Sequence, residues 1–186
     1  MQAIDLLLQR QSARTLSEPA PSAAALELMF ASAARAPDHG KLRPWRFVVI
    51  DSQARGAFGD LLAAYLRRTH PGVGAEALQR ERQKAFRAPT IIVVAAHTTP
   101  GVKIPVIEQL LSAGAAAQAL LLAAVALGFN GVWKTGAAAY DETVKAALGL
   151  EPTDAIVGFL YLGSEPPPPA EPRAWRDLVR HWQPAG

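Results

Sequence analysis

The chain has 186 residues, half of them hydrophobic, with 19 Lys+Arg against 16 Asp+Glu and no cysteine. That is enough apolar material for one domain with its own core. The lack of cysteine excludes disulfides, thiolate catalysis and cysteine zinc sites, and fits a reducing cytoplasm.

The net charge of +3 suits a phosphate-bearing cofactor. The densest basic zones, Arg67-Arg68 and Arg80 to Arg87, carry almost no aromatic residues for base stacking, which argues against nucleic acid.

In chain order, Ala3 to Gln9 reads as a short helix with leucines at 6, 7 and 8. Asp5 inside that apolar stretch, with no small-residue cleavage site after it, argues against a signal peptide. Pro19 and Pro21 break the chain, and Ser22 is placed to cap a second helix over Ala23 to Ala34. A polar loop, Ala36 to Trp45, ends that helix with a proline near each end. Arg46 to Ile50 is a strand by its β-branched content. Helices are expected over Ala57 to Thr69 and Ala75 to Arg87.

A second strand, Thr90 to Ala96, contains the run Ile91-Ile92-Val93-Val94, which predicts burial on both faces. Pro105 opens a long helix reaching about Leu127, and Gly128 fits its C-terminal cap. Gln109 to Gly128 is uncharged and about long enough to span a bilayer. Its alanine content, Gln109, Ser112 and Gln118, and the absence of a basic or aromatic belt point to a buried central helix and no membrane role. Gly131 to Lys134, a short helix near Asp141 to Leu148, and a strand from Ile156 to Leu162 follow.

Pro166 to Pro169 predict a polyproline spacer. Behind it, Trp175 and Trp182 lie on a segment too short to bury them alone, so they are expected to pack on the body or on a partner. The fold class is α+β, a sheet flanked by helices, with residues 1–165 as the domain and 166–186 as its C-terminal arm.

Three segments carry candidate chemistry. Arg10, Ser12 and Arg14 would offer guanidinium groups and a hydroxyl to a phosphate, with Arg10 and Arg14 on one face if the first helix continues. The same residues also fit a solvated helix end. The Ala36 to Trp45 loop concentrates Asp38, His39, Lys41 and Arg43, a density more often functional than connective. His39 fits a hydrogen-bonding or acid-base group as well as it fits an ordinary surface histidine, and Arg35 fits a cofactor contact or a surface ion pair.

Gly128 to Gly136 holds three glycines that let backbone approach a flat ligand. Trp133 there fits stacking or core packing, and Lys134 could meet a phosphate. There is no P-loop or dinucleotide glycine fingerprint, and the four histidines lack metal-ligand spacing. No protein nucleophile or acid-base pair stands out, so an enzyme of this sequence would borrow its chemistry from a cofactor.

Together, Leu6 to Ser12, Arg35 to His39 with Pro44-Trp45, Gly131 to Gly136, and Gly158 to Gly163 resemble the nitroreductase family, and within it the short NAD(P)H nitroreductases. The resemblance runs over about the first 165 residues. It implies a mostly antiparallel FMN-binding fold and a cytoplasmic homodimer with FMN at the subunit interface. It implies flavin contacts from Arg10, Gln11 and Ser12, with Arg10 and Ser12 towards the phosphate. Arg35 and His39 would reach the same flavin from the partner subunit. Trp133, Lys134 and Thr135 match the later flavin stretch, with Thr135-Gly136 amides by the N5 edge. Ala123, Ala124, Val125, Ala126, Leu127 and Gly128 match a stretch associated with NAD(P).

Gln11 replaces a usual arginine and is expected to contribute backbone only. Lys41 and Arg43 replace a common asparagine and glutamine. No C-terminal phosphate arginine is evident after Gly163, and Lys134 is a substitute for it.

The expected activity is FMN-dependent NAD(P)H oxidoreduction, passing electrons from NADH or NADPH to nitroaromatic or quinone-like acceptors. Arg14 or Lys41 would stabilise the anionic reduced flavin. Reduction of a specific metabolite and a non-enzymatic flavin-binding module are the competing readings.

Overall fold

The computed structural model describes residues 2–165, 169–171 and 173–184. Pro166 to Pro168 of the expected proline spacer lie outside them. The elements run α1 (Ala3–Gln9), α2 (Ala23–Ala33), β1 (Trp45–Ile50), α3 (Arg55–Thr69), α4 (Ala75–Gln83), β2 (Thr90–His97), α5 (Val106–Ala126), β3 (Asn130–Lys134), α6 (Glu142–Ala147) and β4 (Asp154–Gly163). Most lie within two residues of their predicted bounds. The helix expected through Arg87 instead ends as α4 at Gln83 and tightens into a 3-10 turn over Lys84–Phe86. That turn aims Lys84 and Arg87 into a cavity described below.

The four strands form one antiparallel sheet in the order β1-β2-β4-β3. Residues Thr90 to Ala96 are buried throughout, as the unbroken apolar run predicts. Ile91 and Val93 of β2 and Phe159 and Tyr161 of β4 face α3 with Phe58 and Leu62. Ile92, Val94, Leu160 and Leu162 face the opposite layer with Met29 of α2 and Leu120 of α5. The period of two in a strand splits each central strand between two helical layers.

Ser22 caps α2 by accepting from the Ala25 amide at 3.2 Å. Gly128, at φ +86°, ends α5 in the left-handed conformation. By length and composition α5 could cross a bilayer. In the fold, Ala113, Ala116, Ala117, Leu120 and Ala124 make it the floor of the second layer. Its outer residues stay exposed, Ile107 at 59% and Leu111 at 65%.

Candidate active site

α1 ends at Gln9, and Arg10 is its C-cap with φ −58° and ψ 121°. The helix therefore does not carry Arg10 and Arg14 on a shared face. The chain turns extended and runs beside β3, where the Ala13 amide donates to the Gly131 carbonyl at 3.1 Å. In an extended stretch, Arg10 and Arg14 line two different depressions.

The first depression lies between α1, α5 and the C-terminal arm. Arg10, Gln11, Gln118, Glu171, Arg173 and Trp175 contribute to its walls. Burial first, and the neighbouring Arg173 second, push the Arg10 guanidinium below its usual pKa. None of the ion pairs formed among the described residues involves Arg10 or Arg173. Glu171 lines the same depression but forms no ion pair with either arginine among the described residues, so both guanidiniums keep donors that suit an anion. The Gln11 amide donates to the Pro169 carbonyl at 2.5 Å and ties the arm down. The Gln11 side chain is thereby engaged with the arm, which leaves its backbone as the part available to a ligand.

The second depression is a groove of about 510 Å³ between the N-terminal segment and β3. Arg14, Arg87 and Lys134 line it with Ala13, Leu16 and Val132. Arg87 and Lys134 also line a cavity of about 220 Å³ whose walls include Thr135, Gly136, Phe58, Tyr65 and Tyr161. That volume is below the roughly 300–1,000 Å³ of pockets for whole drug-sized ligands. Alone, it suits the planar part of a larger ligand.

Gly136 has φ +153°, and nothing lies within 4 Å of where its Cβ would be, so backbone is bare on this wall. Lys84 in the cavity is paired with Glu81 at 2.6 Å. Burial pushes the Tyr161 phenol pKa up, against a smaller opposing effect of the Arg87 charge.

The remaining predicted residues fall elsewhere. The Trp133 indole packs on the α5 side of the sheet, and its Nε1 donates to the Val157 carbonyl at 3.2 Å. A Cβ on Gly158 would lie 2.1 Å from that nitrogen, so Gly158 is the floor on which the ring rests. Trp133 is half-buried there, so its ring takes part in the packing of the fold.

Ser12 is exposed and lines none of the depressions described. Arg35 and His39 are exposed where α2 meets the following loop, and they line neither of the two depressions that contain Lys134. Lys41 also lies in that loop, so of the two candidates for the cationic flavin edge only Arg14 sits in the groove. Ala123 to Ala126 end α5 and Leu127-Gly128 follow as its cap; Ala124 and Val125 are buried and Ala126, Leu127 and Gly128 are exposed.

Sequence reasoning missed Arg173, Arg87, Lys84 and Tyr161. An arginine in the arm was a visible signal for the first. The other three depend on the turn after α4 and on the facing of β4.

The Nitroreductase family model matches residues 7–164. The Escherichia coli (strain K12) protein described as "Putative NAD(P)H nitroreductase YdjA" is 42% identical over 166 residues, covering 88% of each chain. The Haemophilus influenzae protein described as "Putative NAD(P)H nitroreductase" is 38% identical over 165 residues, covering 88% of this chain and 89% of that one. Among solved structures, a nitroreductase-like family protein from Bacillus cereus superposes with a TM-score of 0.81 at 22% identity, covering 99% of this chain and 97% of that chain. A Desulfovibrio desulfuricans protein described as "a putative nitroreductase in complex with fmn" superposes with a TM-score of 0.75 at 24% identity, covering 98% of this chain and 97% of that chain.

Proposed function

The chain belongs to the nitroreductase family, and from that premise we propose that it is an FMN-dependent NAD(P)H oxidoreductase acting on nitroaromatic or quinone-like acceptors. The carrying observation is that Arg87 and Lys134 wall both the groove containing Arg14 and the cavity containing Thr135-Gly136. This joins basic side chains, bare backbone and an apolar wall into one trough beside β3.

The residues fit the flavin. Arg10 and Arg173 would hold the phosphate with charge-assisted hydrogen bonds, which would give Arg173 the role that the sequence reading gave Lys134. The cavity would take part of the ring system, with Thr135-Gly136 backbone along its edge. Arg14, Arg87 and Lys134 would face the edge that becomes anionic on reduction. When bound, FMN supplies the redox chemistry, taking electrons from NADH or NADPH and passing them to the acceptor. The protein positions the ring, keeps water from its buried side with Phe58, Tyr65 and Phe159, and supplies positive charge. A dinucleotide contact on the end of α5 would fall on Ala126, Leu127 and Gly128.

The unit we propose is a cytoplasmic homodimer. Exposed Leu7 and Leu8 of α1, Ile107 and Leu111 of α5, and the arm residues Trp175 and Trp182 are costly in water and supply the apolar surface for it. Arg35 and His39, which are not among the walls of the trough in their own chain, would complete the partner's site.

Purified protein should carry, or take up, yellow FMN that NADH or NADPH bleaches under nitrogen. Re-oxidation by nitrofurazone or menadione should follow. Protein that stays colourless with added FMN would sink the reading, and bound flavin that neither donor reduces would leave only a flavin-binding module.

A further inference from the structure

The loop after α2 is held in a conformation that its sequence alone does not favour. Gly40, Lys41 and Arg43 have φ of +75°, +55° and +49°. Two of these are L side chains in the left-handed region, where each residue costs roughly 1–2 kcal/mol. Such backbone persists only where the surroundings over-determine it. The Asp38 carboxylate accepts from the Leu42 amide at 3.2 Å and the Arg43 amide at 2.8 Å. The Ile104 side chain packs where a Gly40 Cβ would stand, with Cγ1 2.9 Å from that position.

Ile104 is itself fixed by α5. Buried Gln109 donates to the Ile104 carbonyl at 3.0 Å and the Thr99 carbonyl at 3.2 Å, and accepts from the Thr99 amide at 2.8 Å. Beside Gln109, Glu108 reaches back to the loop, and its Oε2 lies 2.5 Å from His39 Nδ1.

A carboxylate only accepts, so the His39 Nδ1 carries the proton and donates it. Nε2 is then the ring nitrogen free to meet a ligand. The pair is exposed, His39 at 63% and Glu108 at 41% of their side chains, and exposed pairs add little to stability. Its consequence is orientation and tautomer, the way a carboxylate sets a histidine ring in other sites.

We propose that Glu108 is a positioning residue for the flavin site: by holding His39 Nδ1, it presents Nε2 from a rigid loop to the cofactor of the partner subunit. The proposal rests on the reading that His39 belongs to the flavin site. Asp38 and the Gln109–Ile104–Gly40 contact keep the loop still, and Glu108 keeps the ring still upon it.

The test is the dissociation constant of FMN, read from quenching of its fluorescence on titration into flavin-free protein, for wild type, His39→Ala, Glu108→Ala, Glu108→Gln and the double alanine variant. His39→Ala and Glu108→Ala should each weaken FMN by roughly three- to tenfold. Glu108→Gln, whose Oε1 still accepts from Nδ1–H, should recover most of the loss. The double variant should bind no more weakly than His39→Ala alone. Long-range proton–nitrogen NMR of the histidine rings should show the Nδ1–H form of His39 in wild type and Glu108→Gln, and its loss in Glu108→Ala.

If His39→Ala weakens FMN and Glu108→Ala does not, the proposal is overturned while the reading of His39 stands. If His39→Ala changes nothing, both fall. Additive effects, or equal losses in Glu108→Ala and Glu108→Gln with a lowered thermal midpoint, would assign Glu108 a structural role and overturn the proposal.

Discussion

Arg10 and Arg173 show how a single side chain gains meaning from its neighbour. Alone, Arg10 is a helix-end arginine. Beside Arg173 it is half of a cationic pair, and the repulsion between the two is relieved when an anion lies between them. If the pair holds the flavin phosphate as proposed, replacing either with alanine would remove a charge-assisted contact worth about 1.5–3 kcal/mol. FMN affinity should therefore fall roughly 10- to 100-fold, with thermal stability of the flavin-free protein little changed, as titration and thermal unfolding would show. Unaltered affinity in both variants would place the phosphate elsewhere.

Gly158 makes the opposite case, where a side chain is excluded. Gly158→Ala would drive a methyl group into the Trp133 indole. The expected cost is about 1–3 kcal/mol, or roughly 2–4 °C of thermal midpoint per kcal/mol, accompanied by a change in tryptophan fluorescence.

At the scale of the element, α6 is the shortest α-helix among the described residues and depends on its cap. The Asp141 carboxylate accepts from the Val144 amide at 3.0 Å and from Arg68 at 2.6 Å. The hydrogen bond from Arg68 is the main reason its pKa lies below the ordinary carboxylate value, with burial opposing and the Val144 amide assisting. The folded-state pKa is thus below the unfolded one. The contribution is present above the ordinary carboxylate range and is lost as pH falls through the depressed folded value. Asp141→Ala should cost about 0.5–2 kcal/mol at neutral pH, and denaturant titrations should show the gap from wild type closing as the solution is acidified below about pH 4. A gap that persists at low pH would mean that packing, and not the ionised cap, holds α6.

At the scale of the whole molecule, exposed apolar surface is concentrated on α1, the outer face of α5 and the arm. Trp175 and Trp182, expected to pack on the body or on a partner, remain 59% and 84% exposed in the single chain; Trp175 lines the depression beside α1 and α5, and the proposed dimer would cover both. Leu111 is 65% exposed, so Leu111→Asp costs the isolated chain little. In a dimer it would bury a charge. Sedimentation analysis should find wild type dimeric and Leu111→Asp shifted towards monomer with weaker FMN binding. A monomeric wild type would remove Arg35 and His39 from the site.

Sequence by itself determined the elements and the family, because both are written in local or collinear signals. The Thr90 to Ala96 run, the Ser22 cap, the Gly128 stop and the ordered motifs need no knowledge of what lies across the fold. The Thr135-Gly136 stretch was legible for the same reason, as a glycine-bearing turn that follows a strand. Tertiary structure alone decided which side chains meet. Arg173 reaches Arg10 through the path of the arm, 163 residues away along the chain. The tightening of the chain after Gln83 turns Lys84 and Arg87 into the cavity, and Tyr161 joins them because alternation along β4 points it at α3. Trp133 went to the other layer by the same alternation, so a residue that fits stacking in sequence is held by Gly158 and Val157 in the fold. Pairings of this kind depend on chain closure over long separations, which no local periodicity encodes.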